Sequence, residues 1–211
     1  MQKPTPHTEL QRNMKKVSIA YDRMAQAHHV SDLRDAWEEF LFSHHRTIGK
    51  MISIAMSKAH SRAWAYQLKN SSTKDDEGLV FLREARAQAE HGVEPFADFH
   101  PAGFSIANVV SLGAGSQLRL VVGSLNGERV DAVFTASDEN TLEVEGQFKG
   151  KVSANASKIK LLPIKSLEKR KTFPVPKSLG GNKVTADNPM SIATAALTHL
   201  RERELELVEI L

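Results

Sequence analysis

Hydrophobic positions recur with a helical period through the first 92 residues and switch to alternation after them. In "SDLRDAWEEFLFSHHRTIGKMISIAMSKA" the apolar residues Leu33, Ala36, Trp37, Phe40, Leu41, Ile48, Met51, Ile52 and Ala55 fall at i, i+3, i+4 and i+7. That spacing lays one stripe of a 3.6-residue helix against a core. Ser31 is placed to cap this helix, with Asp32 and Asp35 in its first turn and Lys58 in its last, as the helix dipole favours. "TELQRNMKKVSIAYDRMAQAHH" predicts a helix over 8–29 with Thr8 as its N-cap, and "SRAWAYQLKN" a short one. The polar "SSTKDD" reads as a turn. "DEGLVFLREARAQAEHG" then gives a further helix, with Leu79, Leu82, Ala85 and Ala89 on one face and Gly92 as its stop.

The period changes beyond Gly92. Pro95 and Pro101 break the helix. "SQLRLVVGSLNGERVDAVFTA" is two β-branched alternating runs joined by Asn126-Gly127, a favoured two-residue hairpin turn. "NTLEVEGQFKGKV" and "SKIKLLPI" continue the alternation, so a small antiparallel sheet is expected over about 104–164. "KRKTFPVPKSLGGNKV", with two prolines and Gly180-Gly181, reads as loop or linker. The last segment, "NPMSIATAALTHLRERELELVEIL", predicts a helix capped by Asn188 with Pro189 at its first position. Its stripe of Ile192, Ala195, Ala196 and Leu200 is expected to return to the first helices. The fold class is therefore α+β: a helical bundle over 1–92, a β-rich insertion over 93–187, and a closing helix over 188–211.

Composition narrows the chemistry. The 211 residues contain no cysteine, which removes disulfides and thiolate metal sites and fits a reducing, cytoplasmic setting. No apolar run approaches the roughly 20 residues of a membrane span, and "MQKPTPHTELQRNMKK" lacks the apolar core of a secretory signal. The net charge of +3 is uneven: residues 93–147 carry 2 basic and 8 acidic side chains, residues 148–177 carry 9 basic and 1 acidic. The basic block, with Lys169, Arg170 and Lys171 at its centre, can follow a phosphate backbone by releasing counterions; a solvated lysine-rich segment explains it equally well. Phe148 and Phe173 are too far apart for an aromatic stacking ladder.

The candidate chemistry lies in "LREARAQAEHG", where Arg86 and His91 are separated by four residues. On a regular helix five steps leave the two positions about 140° apart, so they converge only where the helix ends or where a second chain supplies the partner. The plain alternative is an Arg86–Glu90 i,i+4 pair with His91 closing the helix. His28-His29 and His44-His45 are adjacent and cannot chelate from one helix face; His44, on the apolar stripe, reads as a satisfied core or interface group. No HExxH or DxDxDG motif appears, so neither a metal nor another cofactor is expected. Glu38 or Glu39 is placed to meet Arg86 or Arg46. "LGAGS" (112–116) opens toward a strand and lacks the lysine of a phosphate loop.

The order of "AWEEFLFSHHR" on a long helix, Trp64 in a short one and then "FLREARAQAEHG" resembles the HEPN superfamily, whose helical bundles carry an arginine and a histidine four to six residues apart. The resemblance covers residues 8–92, with 188–210 completing the bundle. It implies a metal-independent endoribonuclease, of toxin–antitoxin or phage-defence type, working as a homodimer with its two motifs face to face. Arg86 would bind and polarise the scissile phosphate, and His91 would serve as general acid and base around the ribose 2′-hydroxyl. RNA, a second copy, and an antitoxin or defence-system protein are the implied partners. An asparagine often follows the motif arginine in such proteins; here Ala87 does, which keeps a non-catalytic RNA- or protein-binding module as the alternative.

Overall fold

Capping chemistry fixes where the helices begin. Thr5 rather than Thr8 caps α1 (Pro6–Gln26): its hydroxyl accepts from the Thr8 amide, and Pro6, which has no amide hydrogen to satisfy, occupies the first turn. α2 (Val30–Met56) starts one residue before Ser31, so Ser31 lies inside the first turn and is no cap. Lys58 lies beyond its end, in extended backbone before a 3-10 turn over Ala59–Ser61. α3 (Arg62–Asn70) runs straight into a π-helical turn, Ser71–Asp75, where an ordinary turn was expected. Asp76 caps α4 (Glu77–His91) by accepting from the Leu79 amide at 2.9 Å. α5 (Pro189–Ile210) begins as foreseen, with the Asn188 side chain accepting from the Met190 and Ser191 amides.

The computed structural model describes residues 5–27, 30–91, 97–100, 103–106, 110–125, 128–138, 141–148, 150–155, 158–166, 171–185 and 188–211. The chain is α+β, with twelve strands among these residues: β1 (Ala97–His100), β2 (Gly103–Ile106), β3 (Val110–Gly113), β4 (Ser116–Leu125), β5 (Glu128–Ala136), β6 (Leu142–Gln147), β7 (Val152–Asn155), β8 (Lys158–Leu161), β9 (Ile164–Ser166), β10 (Lys171–Phe173), β11 (Ser178–Leu179) and β12 (Asn182–Lys183). It divides into two compact units. Helices α1–α4 fold with the stretch that follows Ile159, and Phe99–Lys158 builds the second unit. The boundary therefore falls inside the segment expected to be one insertion, because 159–185 packs with the helices.

In the helical unit, Trp37, Phe40, Leu41 and Met51 of α2 are buried with Leu10 and Val17 of α1 and Ile192, Ala196 and Leu200 of α5. α5 packs along α1, and Trp64 of α3 donates to Glu206 of α5 at 2.8 Å. α4 is buried on more than its expected face: Val80, Phe81 and Glu84 are covered along with Leu79, Leu82 and Ala85. The extra cover is β9 and β11, which pack on α4.

The segment read as linker is thus a structured flap. Phe173, Leu179 and Val184 are buried, β9 pairs with β10, and β11 turns into β12 through Gly180 and Gly181, both at positive φ. Such short strands leave no period to read. The flap is pinned to the start of α4. Glu77 accepts from the Lys177 and Ser178 amides at 2.9 and 3.0 Å, and Asp76 accepts from the Gly180 amide at 2.8 Å. Those amide hydrogen bonds, the Lys177 one foremost, hold the Glu77 carboxyl below its ordinary pKa. A Cβ on Gly78 would stand 2.5 Å from Leu179 Cβ and 2.6 Å from the Ser178 carbonyl oxygen, so only glycine permits this approach.

The β unit contains two three-stranded antiparallel sheets, ordered β3-β2-β7 and β4-β5-β6. Alternation is expressed as read: Phe104 and Ile106 of β2, Leu112 of β3, and Ala132, Phe134 and Ala136 of β5 form its core. Phe148 meets Phe134 edge to face at 4.9 Å. β4 and β5 pair as the expected hairpin, through Leu125↔Glu128, with an irregularity between Val122 and Leu125. Asn126 and Gly127 themselves lie outside the described residues.

Candidate functional site

Two helices make the site. Phe42, His45 and Gly49 fall at i, i+3 and i+7 on α2, beside the core stripe, and near them stand Leu79, Arg83, Arg86 and Glu90 of α4. The Arg86 guanidinium lies over the Phe42 ring, 5.6 Å from its centroid, and its Nη2 pairs with Glu90 at 2.5 Å. Its Nε is buried without a hydrogen-bond partner. Arg83 donates twice to the buried Glu84, at 2.7 and 3.1 Å.

The imidazole grouped with these guanidiniums is His45. Packing that strips water from the ring lowers its pKa first, Arg86 and Arg83 lower it further by repelling a second positive charge, and Glu90 offsets part of this. His45 is therefore neutral near pH 7 and able to accept a proton. His44, one residue earlier, is buried and stacked on Phe40 at 6.1 Å. Its burial, with His199 and His45 nearby, pushes its pKa down to about 3. Its Nε2 has no partner, so His44 is the expected core residue but not a satisfied one.

Beside the α2–α4 seam is a cavity of about 240 Å³. Its walls come from α2, α4, the end of α3 and the π-helical turn, and they include His44, His45, Gly49, Lys69 and Arg83. A π-helical turn beside a cavity is a recurrent feature of functional sites.

The expected site residues fare unequally. Arg86 is in the seam, in the i,i+4 pair that its plain reading foresaw. His91 ends α4, and its side chain lies outside what is described; so do Lys169, Arg170 and the stop at Gly92. Lys171 is exposed on β10, with its ammonium 5.3 Å from the Phe173 ring centroid. Lys151 falls in the β unit and Lys165, Lys171 and Lys177 in the helical unit, so the basic block does not belong to one body. Neither Glu38 nor Glu39 meets Arg86 or Arg46: Glu38 pairs with Arg34 at 3.2 Å, one turn away, and Glu39 with Arg23 of α1. No group of three or more potential metal ligands is found among the described residues, and no described helix is long and apolar enough to cross a membrane.

His45 and the cavity were missed in the sequence. Their available signal was Gly49 in the middle of a 27-residue helix, four residues from a histidine and on a face without a core function. Comparison of the chain with protein-family models, curated proteins and solved structures finds no match.

Proposed function

We propose that the chain is a HEPN-type endoribonuclease of the cytoplasm, a toxin or phage-defence effector that cleaves RNA without a metal as a homodimer. The observation that carries this reading is the setting of Arg86. It is a half-buried guanidinium held over an aromatic ring, next to a neutral imidazole, on the helix that ends at His91. Because α4 stays helical through His91, positions 86 and 91 remain about 140° apart within one chain. A second copy is what lets a His91 meet an Arg86.

In this reading a histidine removes the proton of the ribose 2′-hydroxyl, and the oxygen attacks the adjacent phosphorus in line. The bond to the 5′-oxygen breaks, that oxygen takes a proton from a histidine, and a 2′,3′-cyclic phosphate remains. Arg86, on leaving Glu90 for the phosphate, offers forked donors to the oxygens on which charge builds. Histidine suits both proton transfers because its ordinary pKa is near neutrality.

Ala87 favours a second reading, a non-catalytic module that binds RNA, an antitoxin or another defence protein, with Arg86 kept as a structural partner of Glu90 and Phe42. Induced expression in a bacterial host, wild type beside His91→Ala, separates the two. Growth arrest and fragmented RNA with the wild type alone support the nuclease. Equal growth and intact RNA support the module, and Ala87→Asn would then be the substitution that restores cleavage.

A further inference from the structure

The cavity between α2, α4 and the end of α3 has a shape and a polarity that the cleavage chemistry does not use. Its floor is apolar, from Ile48, Ile52 and Leu79, while its mouth is polar. His45 and Lys69 are exposed there and Arg83 is half-buried, so three nitrogen-bearing side chains surround one opening. Lys69 makes no ion pair among the described residues. Ser72 and Thr73 complete the edge. Their hydroxyl hydrogens are committed to the Lys69 carbonyl, at 3.0 and 2.8 Å, which leaves lone pairs to accept from a ligand.

One further observation points to an occupant. Gly49 lines the cavity, and a Cβ built there meets nothing within 4 Å. Glycine within a helix is destabilising by roughly 0.5–1 kcal/mol relative to alanine. Here no neighbouring backbone requires it, and what it maintains is open space.

We propose that this cavity receives a single nucleobase, with the phosphate of the same nucleotide held at the mouth by Lys69 and Arg83. About 240 Å³ is below the roughly 300–1,000 Å³ of pockets for larger ligands, so it accommodates one ring system and no whole dinucleotide cofactor. An apolar slot edged by the Ser72 and Thr73 hydroxyls fits the face and edge of a base, and RNA-binding proteins read unstacked bases by stacking and edge hydrogen bonds. The choice of a nucleotide rests on the ribonuclease reading; the cavity and its cations do not.

The test is titration calorimetry of the full chain with AMP, GMP, CMP and UMP, with the corresponding nucleosides, and with an eight-nucleotide single-stranded RNA of mixed sequence. Wild type is compared with Gly49→Leu, which fills the slot from a position with room for a side chain and has the better helix former, and with Lys69→Ala. The expected result is saturable binding of at least one monophosphate and of the RNA. Gly49→Leu should weaken both by about tenfold or more with an undiminished thermal midpoint, and Lys69→Ala should weaken the monophosphate more than its nucleoside. Loss confined to the monophosphates would assign the slot to a free nucleotide and overturn its place in the RNA site. Absence of saturable monophosphate binding, or Gly49→Leu binding like wild type, overturns the proposal outright. Failure of the nuclease reading looks different: wild type leaves RNA intact while binding that Gly49→Leu abolishes persists.

Discussion

The two units of this chain hold polar groups very differently. In the β unit every described buried residue is apolar, and burial alternates along β5 from Asp131 to Ala136. In the helical unit Ser43, His44, Thr47, Ser61, Glu84, Gln88 and His199 are all buried, and His44, Gln88, His199 and Arg86 each leave a nitrogen or oxygen unpaired. Buried polar atoms without partners oppose folding and persist where something else requires them. The contrast sets the candidate site in the unit whose core tolerates unpaired polar atoms, while the β unit keeps an apolar core.

The largest effect that can sharpen this contrast is truncation of each core. Phe81→Ala and Phe134→Ala each remove a fully buried ring and should destabilise their own unit by about 3–5 kcal/mol. Both tryptophans, Trp37 and Trp64, belong to the helical unit, so denaturant unfolding followed by fluorescence reads Phe81→Ala directly. Circular dichroism of the strands reads Phe134→Ala. A fluorescence midpoint unmoved by Phe81→Ala would contradict the helical core described here.

Next in size is the flap on α4. Gly78→Ala drives a methyl group into Leu179 and the Ser178 carbonyl and should cost about 1–3 kcal/mol. Amide exchange should show Lys177, Ser178 and Gly180 losing protection together, since Glu77 and Asp76 hold all three amides. Unchanged protection would mean that the flap does not depend on this close approach.

A smaller effect per unit of pH separates the two bodies most cleanly. The folded pKa of His44 lies below its unfolded value, so the unfolded chain takes up a proton that the folded chain refuses. Stability of the helical unit is therefore full above pH 6.5 and falls with decreasing pH, toward a folded value of about 3. The limiting slope is about 1.4 kcal/mol per pH unit for this one group. His199 adds to the loss in the same direction: burial and Arg203 lower its pKa, and Asp76, Glu202 and Glu206 counter them in part. His44→Gln should flatten the fluorescence-detected dependence between pH 6 and 4; an unaltered slope would place the acid lability elsewhere.

Much of the fold is legible in the sequence wherever one physical signal dominates. The Asn188-Pro189 cap, the stripe of α2 and the Leu125–Glu128 hairpin register are each determined within a few neighbouring residues. The flap is not, because strands of two or three residues carry no period and its order comes from Asp76 and Glu77, about a hundred positions earlier in the chain. α4 shows the same limit: covered on several sides, it loses the single stripe that periodicity detects. Of the site, Arg86 is legible as a motif residue and its Glu90 pair as an i,i+4 spacing. His45 is not, since its relevance arises only when α2 and α4 are set side by side.

The proposed ribonuclease reading assigns metal-free cleavage of RNA to Arg86 and His91. Its most direct test is incubation of the purified chain with total RNA in the presence of EDTA, followed by chemical analysis of the new ends. Fragments ending in 2′,3′-cyclic phosphate are expected from the wild type, and none from Arg86→Ala or His91→Ala at unchanged helical content. Cleavage that survives in His91→Ala, or that EDTA abolishes in the wild type, would contradict it.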